Sequence, residues 1–154
     1  MTCVKTKVAI AAIALYTAAC GGTQSASPPS PSPTSDQSSA VLTFTLTPEP
    51  GVTASGTVLV TPAPASTTME LKITGLQASS SHVSHIHLGS CQQRGGIAFA
   101  LSQVVADGQG DADTKTSLPQ KFPPATGHWY AVVHAGPDMQ GSNAGYLLCG
   151  NLFQ

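Results

Sequence analysis

The chain has 154 residues, with six Lys and Arg against seven Asp and Glu, a formal net charge of −1 and only 8% charged residues. So sparse and balanced a charge excludes a basic face for nucleic acid or phosphate-rich surfaces. The length suits a single folded core, and the residue types that carry chemistry are four cysteines and five histidines.

At the N-terminus Lys5 and Lys7 flank the start of an apolar stretch over 8–19, which ends in Ala18-Ala19-Cys20-Gly21-Gly22. A basic region, a short apolar region and small residues at a cleavage point are the pattern of a secretory signal. The stretch is too short to stay in a bilayer as a helix, which takes about 20 apolar residues. Thr17-Ala18-Ala19-Cys20 resembles a bacterial lipoprotein processing site, with Thr in place of the favoured leucine-like residue. The resemblance implies that 1–19 is removed and that Cys20 is lipidated; the alternative is ordinary secretion with a free Cys20. Several acyl chains, at about 0.8 kcal/mol per buried CH₂, then hold the protein durably on a membrane. Residues 20–39 follow as a Ser/Pro-rich tether, too polar and proline-rich to bury a core. The expected location is the bacterial cell envelope, with the folded part secreted and lipid-anchored.

Beyond the signal, four basic residues (Lys72, Arg94, Lys115, Lys121) stand against seven acids, a net charge of −3. Cys3 leaves with the signal and Cys20 is the anchor, so Cys91 and Cys149 remain as a pair in an oxidising compartment. A disulfide between them is the economical reading.

From residue 40 onward Gly, Pro, Thr and Ser punctuate short alternating runs, and no 3.6-residue apolar stripe occurs. The pattern predicts strands over 41–47, 56–61, 68–74, 82–88, 97–105, 111–118, 129–135 and 146–153. The expected fold is therefore an all-β, eight-stranded Greek-key barrel or sandwich over 40–154.

His85 and His87 flank Ile86 on one predicted strand and so share a face, while His134 lies on another, with Ala131 and Val133 on the opposite side. Apolar residues facing the core put all three histidines on the outer wall, where a solvent-accessible metal is expected. Three imidazoles suit several transition metals and by themselves name none. His82 has the parity of Ile86 and is expected to be an inward, hydrogen-bonded structural histidine; His128, beside Gly127, is expected to be exposed. Met69 and Met139 read as filler. Asp107, Asp111 and Asp113 fit a glycine-rich turn without any ion, and no serine or cysteine nucleophile has a plausible triad.

His82-Val-Ser-His85-Ile-His87-Leu-Gly89-Ser-Cys91 resembles the copper-binding strand of the copper/zinc superoxide dismutases, and Val132-Val-His134-Ala-Gly-Pro-Asp138 with Asn143-Ala-Gly145-Tyr-Leu-Leu-Cys149-Gly150 resembles the same family's C-terminal motif. The resemblance covers most of 41–154. It implies one copper ion on His85, His87 and His134, a Cys91–Cys149 disulfide, and Asp138 as the carboxylate that orients a ligand histidine. Departures bear on activity. The family's long loop with its bridging histidine and zinc ligands is missing, so no zinc is predicted. The family's guiding arginine is replaced by Tyr146-Leu147-Leu148, and Arg94 is the only arginine in the chain.

A secondary resemblance, to chordin-type (CHRD) domains, rests on Ala54-Ser-Gly-Thr-Val, Thr74-Gly-Leu76, His85-Ile-His87, Gly95-Gly-Ile-Ala-Phe-Ala-Leu101 and Tyr130-Ala-Val-Val-His134. The two cysteines and the Cys-Gly ending favour the dismutase side. The expected function is copper binding with superoxide dismutation weak or lost. The alternatives are a non-catalytic copper-buffering protein and a CHRD-like structural or interaction domain. Expected partners are the membrane, through the anchor, and copper ions or superoxide as small ligands, with no nucleic acid.

Overall fold

Apolar and polar residues alternate in Thr67-Thr-Met69-Glu-Leu71-Lys-Ile73-Thr74, and the burial alternates with them: Thr67, Met69, Leu71 and Ile73 point inward, while Lys72 and Thr74 stay exposed. That pattern, repeated along the chain, makes a sheet with one dry face. The computed structural model describes residues 40–153. The expected signal peptide, the Cys20 anchor and the tether lie outside the described residues.

Among the described residues ten strands form: β1 (Leu42–Pro48), β2 (Ser55–Pro62), β3 (Thr67–Thr74), β4 (Ser81–His82), β5 (Ser84–Gly89), β6 (Arg94–Ala100), β7 (Val104–Val105), β8 (Ala112–Leu118), β9 (Trp129–His134) and β10 (Tyr146–Asn151). One 3₁₀ turn, Gly141–Ala144, precedes β10, and there is no α-helix among the described residues. Eight strands make one curled antiparallel sheet in the order β6-β5-β9-β10-β1-β2-β3-β8, and β4 pairs with β7 in a small second sheet. The all-β expectation is met. Strand β10 returns to lie beside β1, so β10-β1-β2-β3 has the spatial order of a Greek key.

Two of the eight expected strands are each divided. The run 82–88 breaks at Val83, whose carbonyl accepts from the His134 N–H at 2.9 Å and whose N–H donates to the Gly136 carbonyl at 2.9 Å. That exchange leaves Ser81 and His82 to pair with β7. The run 97–105 starts earlier, at Arg94, and breaks near Ser102. There the Ser102 N–H donates to Thr116 Oγ1 at 2.7 Å, and its hydroxyl donates to the Lys115 carbonyl at 3.1 Å. In both cases a backbone group finds a partner outside its own ladder, which parity alone does not reveal.

The main core lies inside the curl and includes Leu46, Val58, Val60, Met69, Leu71, Ile86, Ala131, Val133 and Leu148. A second, smaller cluster of Tyr130, Val132 and Cys149 covers the other side of β9, with Cys91 and Tyr146 packed on it. All six residues of β9 are buried as a result. His82 is the buried structural histidine expected: its Nδ1 meets the His134 carbonyl at 2.9 Å and its Nε2 meets Ser80 Oγ at 2.8 Å. His128 is exposed and stacks on Phe153, with ring centroids 4.3 Å apart.

Cys91 and Cys149 form a disulfide, with Cα atoms 5.9 Å apart and a sequence separation of 58. It pins the segment before β6 to β10. Replacing both cysteines by serine is expected to lower the unfolding free energy by about 2–4 kcal/mol through the freed unfolded chain. The loss would appear as a lower denaturant midpoint under non-reducing conditions, and an unchanged midpoint would show that the bridge does not restrain the unfolded chain.

Candidate metal centre

Three neighbouring strands bring the histidines together. Strand β5 pairs with β9 so that His85 lies opposite Val132 and His87 opposite Tyr130, while β9 pairs with β10 so that His134 lies opposite Tyr146. His85, His87, Tyr130, Val132, His134 and Tyr146 therefore occupy one face, and Ile86, Ala131 and Val133 point the other way into the core. Ring centroids are 5.1 Å apart for His85 and His134, 5.8 Å for His87 and His134, and 6.0 Å for His85 and His87. One potential ligand nitrogen from each ring lies within 4.8 Å of the other two. Three such atoms at that spacing can surround one metal ion.

The hydrogen bonds fix which nitrogens are free. His87 Nδ1 meets the Gly95 carbonyl at 3.0 Å, and His134 Nδ1 meets the Ala144 carbonyl at 2.8 Å. A carbonyl only accepts, so each Nδ1 carries the proton and each Nε2 presents a lone pair. Those two Nε2 atoms, with His85 Nδ1, are shielded from solvent and have no hydrogen-bond partner among the described residues. An unpaired polar atom in a buried place is costly. Three of them converging on one space is what a metal ion would relieve, so the residues present fit a metal.

Electrostatics reinforce the neutral form. Burial lowers the His85 pKa, and the neighbouring His134 and His87 lower it further. Burial likewise lowers that of His134, against the Ala144 carbonyl, which raises it, and with His87 lowering it. Neutral imidazole is the form that ligates, and no proton has to be displaced from it.

The site differs from the solvent-accessible one expected on the outer wall. His134 is fully buried and His87 is 5% exposed, and only His85 keeps partial exposure. The cover comes from residues the sequence reading did not assign. The Tyr130 ring lies 5.1 Å from that of His87, inclined at 32°, and Tyr146 stands 5.7 Å from His87 and 5.4 Å from His134. The two phenol oxygens are hydrogen-bonded at 2.9 Å, and Tyr130 Oη accepts from the Gly95 N–H at 3.0 Å. Tyr130 was within reach of parity, since 130, 132 and 134 alternate with the core residues of β9. Tyr146 was not, because the β10 register shifts between Tyr146 and Leu148.

Asp138 does not bond to a histidine, contrary to what the resemblance implied. Its Oδ1 accepts from Asn143 Nδ2 at 3.0 Å and from the Gln140 N–H at 2.9 Å, bonds that hold its pKa below the usual carboxylate value. Asp138 thus braces the turn whose Ala144 carbonyl orients His134, and the two ring-orienting acceptors are backbone carbonyls. Gly95 is required where it supplies one of them, because a Cβ there would meet the Leu88 carbonyl oxygen at 2.0 Å. Arg94 also stops short of the histidines: its guanidinium lies 4.1 Å over the Tyr146 ring and is bonded to Glu49.

Neither a scan against protein-family models nor a search of curated proteins finds a match to the chain.

The lowered histidine pKa values set a direction for stability. In the metal-free domain the unfolded chain takes up protons at His85 and His134 from about pH 6.5 downward, before the folded state does. Stability should therefore be flat above that pH and fall as pH drops below it. Denaturant midpoints from pH 8 to pH 5 should show this decline, and a His85→Ala variant should show a shallower one.

Proposed function

We propose that this domain holds one copper ion between His85, His87 and His134, as the folded part of a lipid-anchored protein of the bacterial envelope, and that superoxide dismutation by it is weak or lost. The observation that carries the reading is the convergence of three shielded, partnerless imidazole nitrogens. The choice of copper rests on the resemblance of the two histidine motifs to the copper/zinc superoxide dismutases, and imidazole donors suit that metal. The envelope location rests on the N-terminal signal pattern, and the disulfide agrees with an oxidising compartment.

Copper held there would supply one-electron chemistry; the chain around it is poorly equipped to speed that chemistry. His82 is bonded through both ring nitrogens, and exposed His128 packs on Phe153, so neither of the two remaining histidines stands ready as a fourth or bridging ligand. The one arginine is engaged by Glu49 and Tyr146. A superoxide anion would meet a domain with more acids than bases. Electrostatic focusing raises on-rates by about 10–10³-fold where it exists, and its loss slows capture accordingly.

The soluble domain is expected to take up one copper per chain and to gain about 2.7 kcal/mol of stability at a free concentration a hundred times the dissociation constant. His85→Ala/His87→Ala should abolish both effects, with superoxide turnover in the loaded wild type far below that of a copper/zinc enzyme. Metal analysis, thermal melts with copper, zinc or chelator, and a turnover assay check this. Preference for zinc would reassign the ion, and equal stability in copper and chelator would leave a CHRD-like interaction domain.

A further inference from the structure

The three histidines are not covered evenly. On the flank formed by His87 and His134 stands the Tyr146 ring, at 63° to the first and 89° to the second, whereas His85 on the opposite flank has no tyrosine of the described residues against it and keeps partial exposure. Tyr146 is clamped from two other strands and from the segment that follows β1. Its hydroxyl is bonded to Tyr130 of β9, and the Arg94 guanidinium of β6 lies on its ring. Glu49, just past β1, holds Arg94 through its carboxylate and holds Leu147, the residue after Tyr146, through its own N–H at 3.0 Å from the Leu147 carbonyl. Such a clamp is more than packing requires of a half-buried tyrosine.

We propose that Tyr146, locked by Arg94 and Tyr130, is the specificity-determining wall of the three-histidine site: it closes the His87 and His134 flank and confines external ligands, small anions above all, to an approach past His85. The role of Arg94 is thereby assigned to holding the wall and not to guiding an anion. The part that concerns metal-bound ligands rests on the metal reading; the part that concerns access to His134 does not.

Diethyl pyrocarbonate, which acylates accessible neutral imidazole, tests access in the metal-free protein by peptide mass spectrometry, with exposed His128 as the internal standard. His134 should react slowly in the wild type and in Tyr146→Phe, which keeps the ring. It should react about tenfold faster in Tyr146→Ala and a few-fold faster in Arg94→Ala, because modification then needs less local opening. Should Tyr146→Ala fail to fold, Arg94→Ala carries the comparison. Azide binding to the copper(II)-loaded proteins, followed by its charge-transfer band, should tighten about tenfold in Tyr146→Ala, equal to 1.4 kcal/mol, and stay unchanged in Tyr146→Phe. A wild-type His134 as reactive as His128, or His134 rates and azide affinities unmoved by loss of the ring, would overturn the proposal. Failure of every protein to bind copper would remove the metal reading alone, since the acylation rates still decide whether Tyr146 is the wall.

Discussion

Strand β9 is buried on both faces, and the three-histidine cluster that could hold a metal depends on that. In an outer strand of a curled sheet the residues opposite the core normally meet water, and His134 there would be a solvated, partly protonated side chain. Here Tyr130 and Val132 precede it on the same face, β5 and β10 flank it, and Tyr146 and the disulfide lie over them. Desolvation then does two things at once. It favours neutral imidazole, and it leaves each free lone pair without water, so a cation becomes the best available partner.

A second constraint is orientation. Two of the rings are aimed by backbone carbonyls, Gly95 for His87 and Ala144 for His134. Both lie in segments held by other bonds. Gly95 sits just beyond the disulfide-bonded segment and is bonded to Tyr130, and the turn before Ala144 is braced by Asp138 and Asn143. Control of ring orientation through the second nitrogen is a general device of metal sites. In this chain its rigidity is inherited from turns, so the site is sensitive to residues that touch no histidine.

This explains what could be read from the sequence. The all-β class followed from alternation and turn residues, and the sharing of one face by His85, His87 and His134 followed from strand parity, because both are properties of local spacing. The division of 82–88 at Val83 and of 97–105 near Ser102 did not, because each depends on a bond to a distant strand. The burial of the histidine face was missed for the same reason. Tyr130 and Tyr146 are 16 residues apart, and Arg94, far from Tyr146 in the chain, meets its ring only through the fold, with Glu49 holding the guanidinium. Asp138 bonds to Gln140 and Asn143 in the turn before β10, a geometry that no spacing rule encodes.

The same burial that makes the site able to hold a metal weighs against rapid turnover. A metal that exchanges electrons with a diffusing anion benefits from an open coordination position and a nearby positive field. This face offers aromatic walls, one partly open flank at His85, and an arginine whose charge is already balanced by Glu49. Opening it by mutation would solvate His87 and His134 and give their free nitrogens water as a partner. Retention and access are thus opposed within one set of residues, and on the proposed reading the clamp on Tyr146 favours retention.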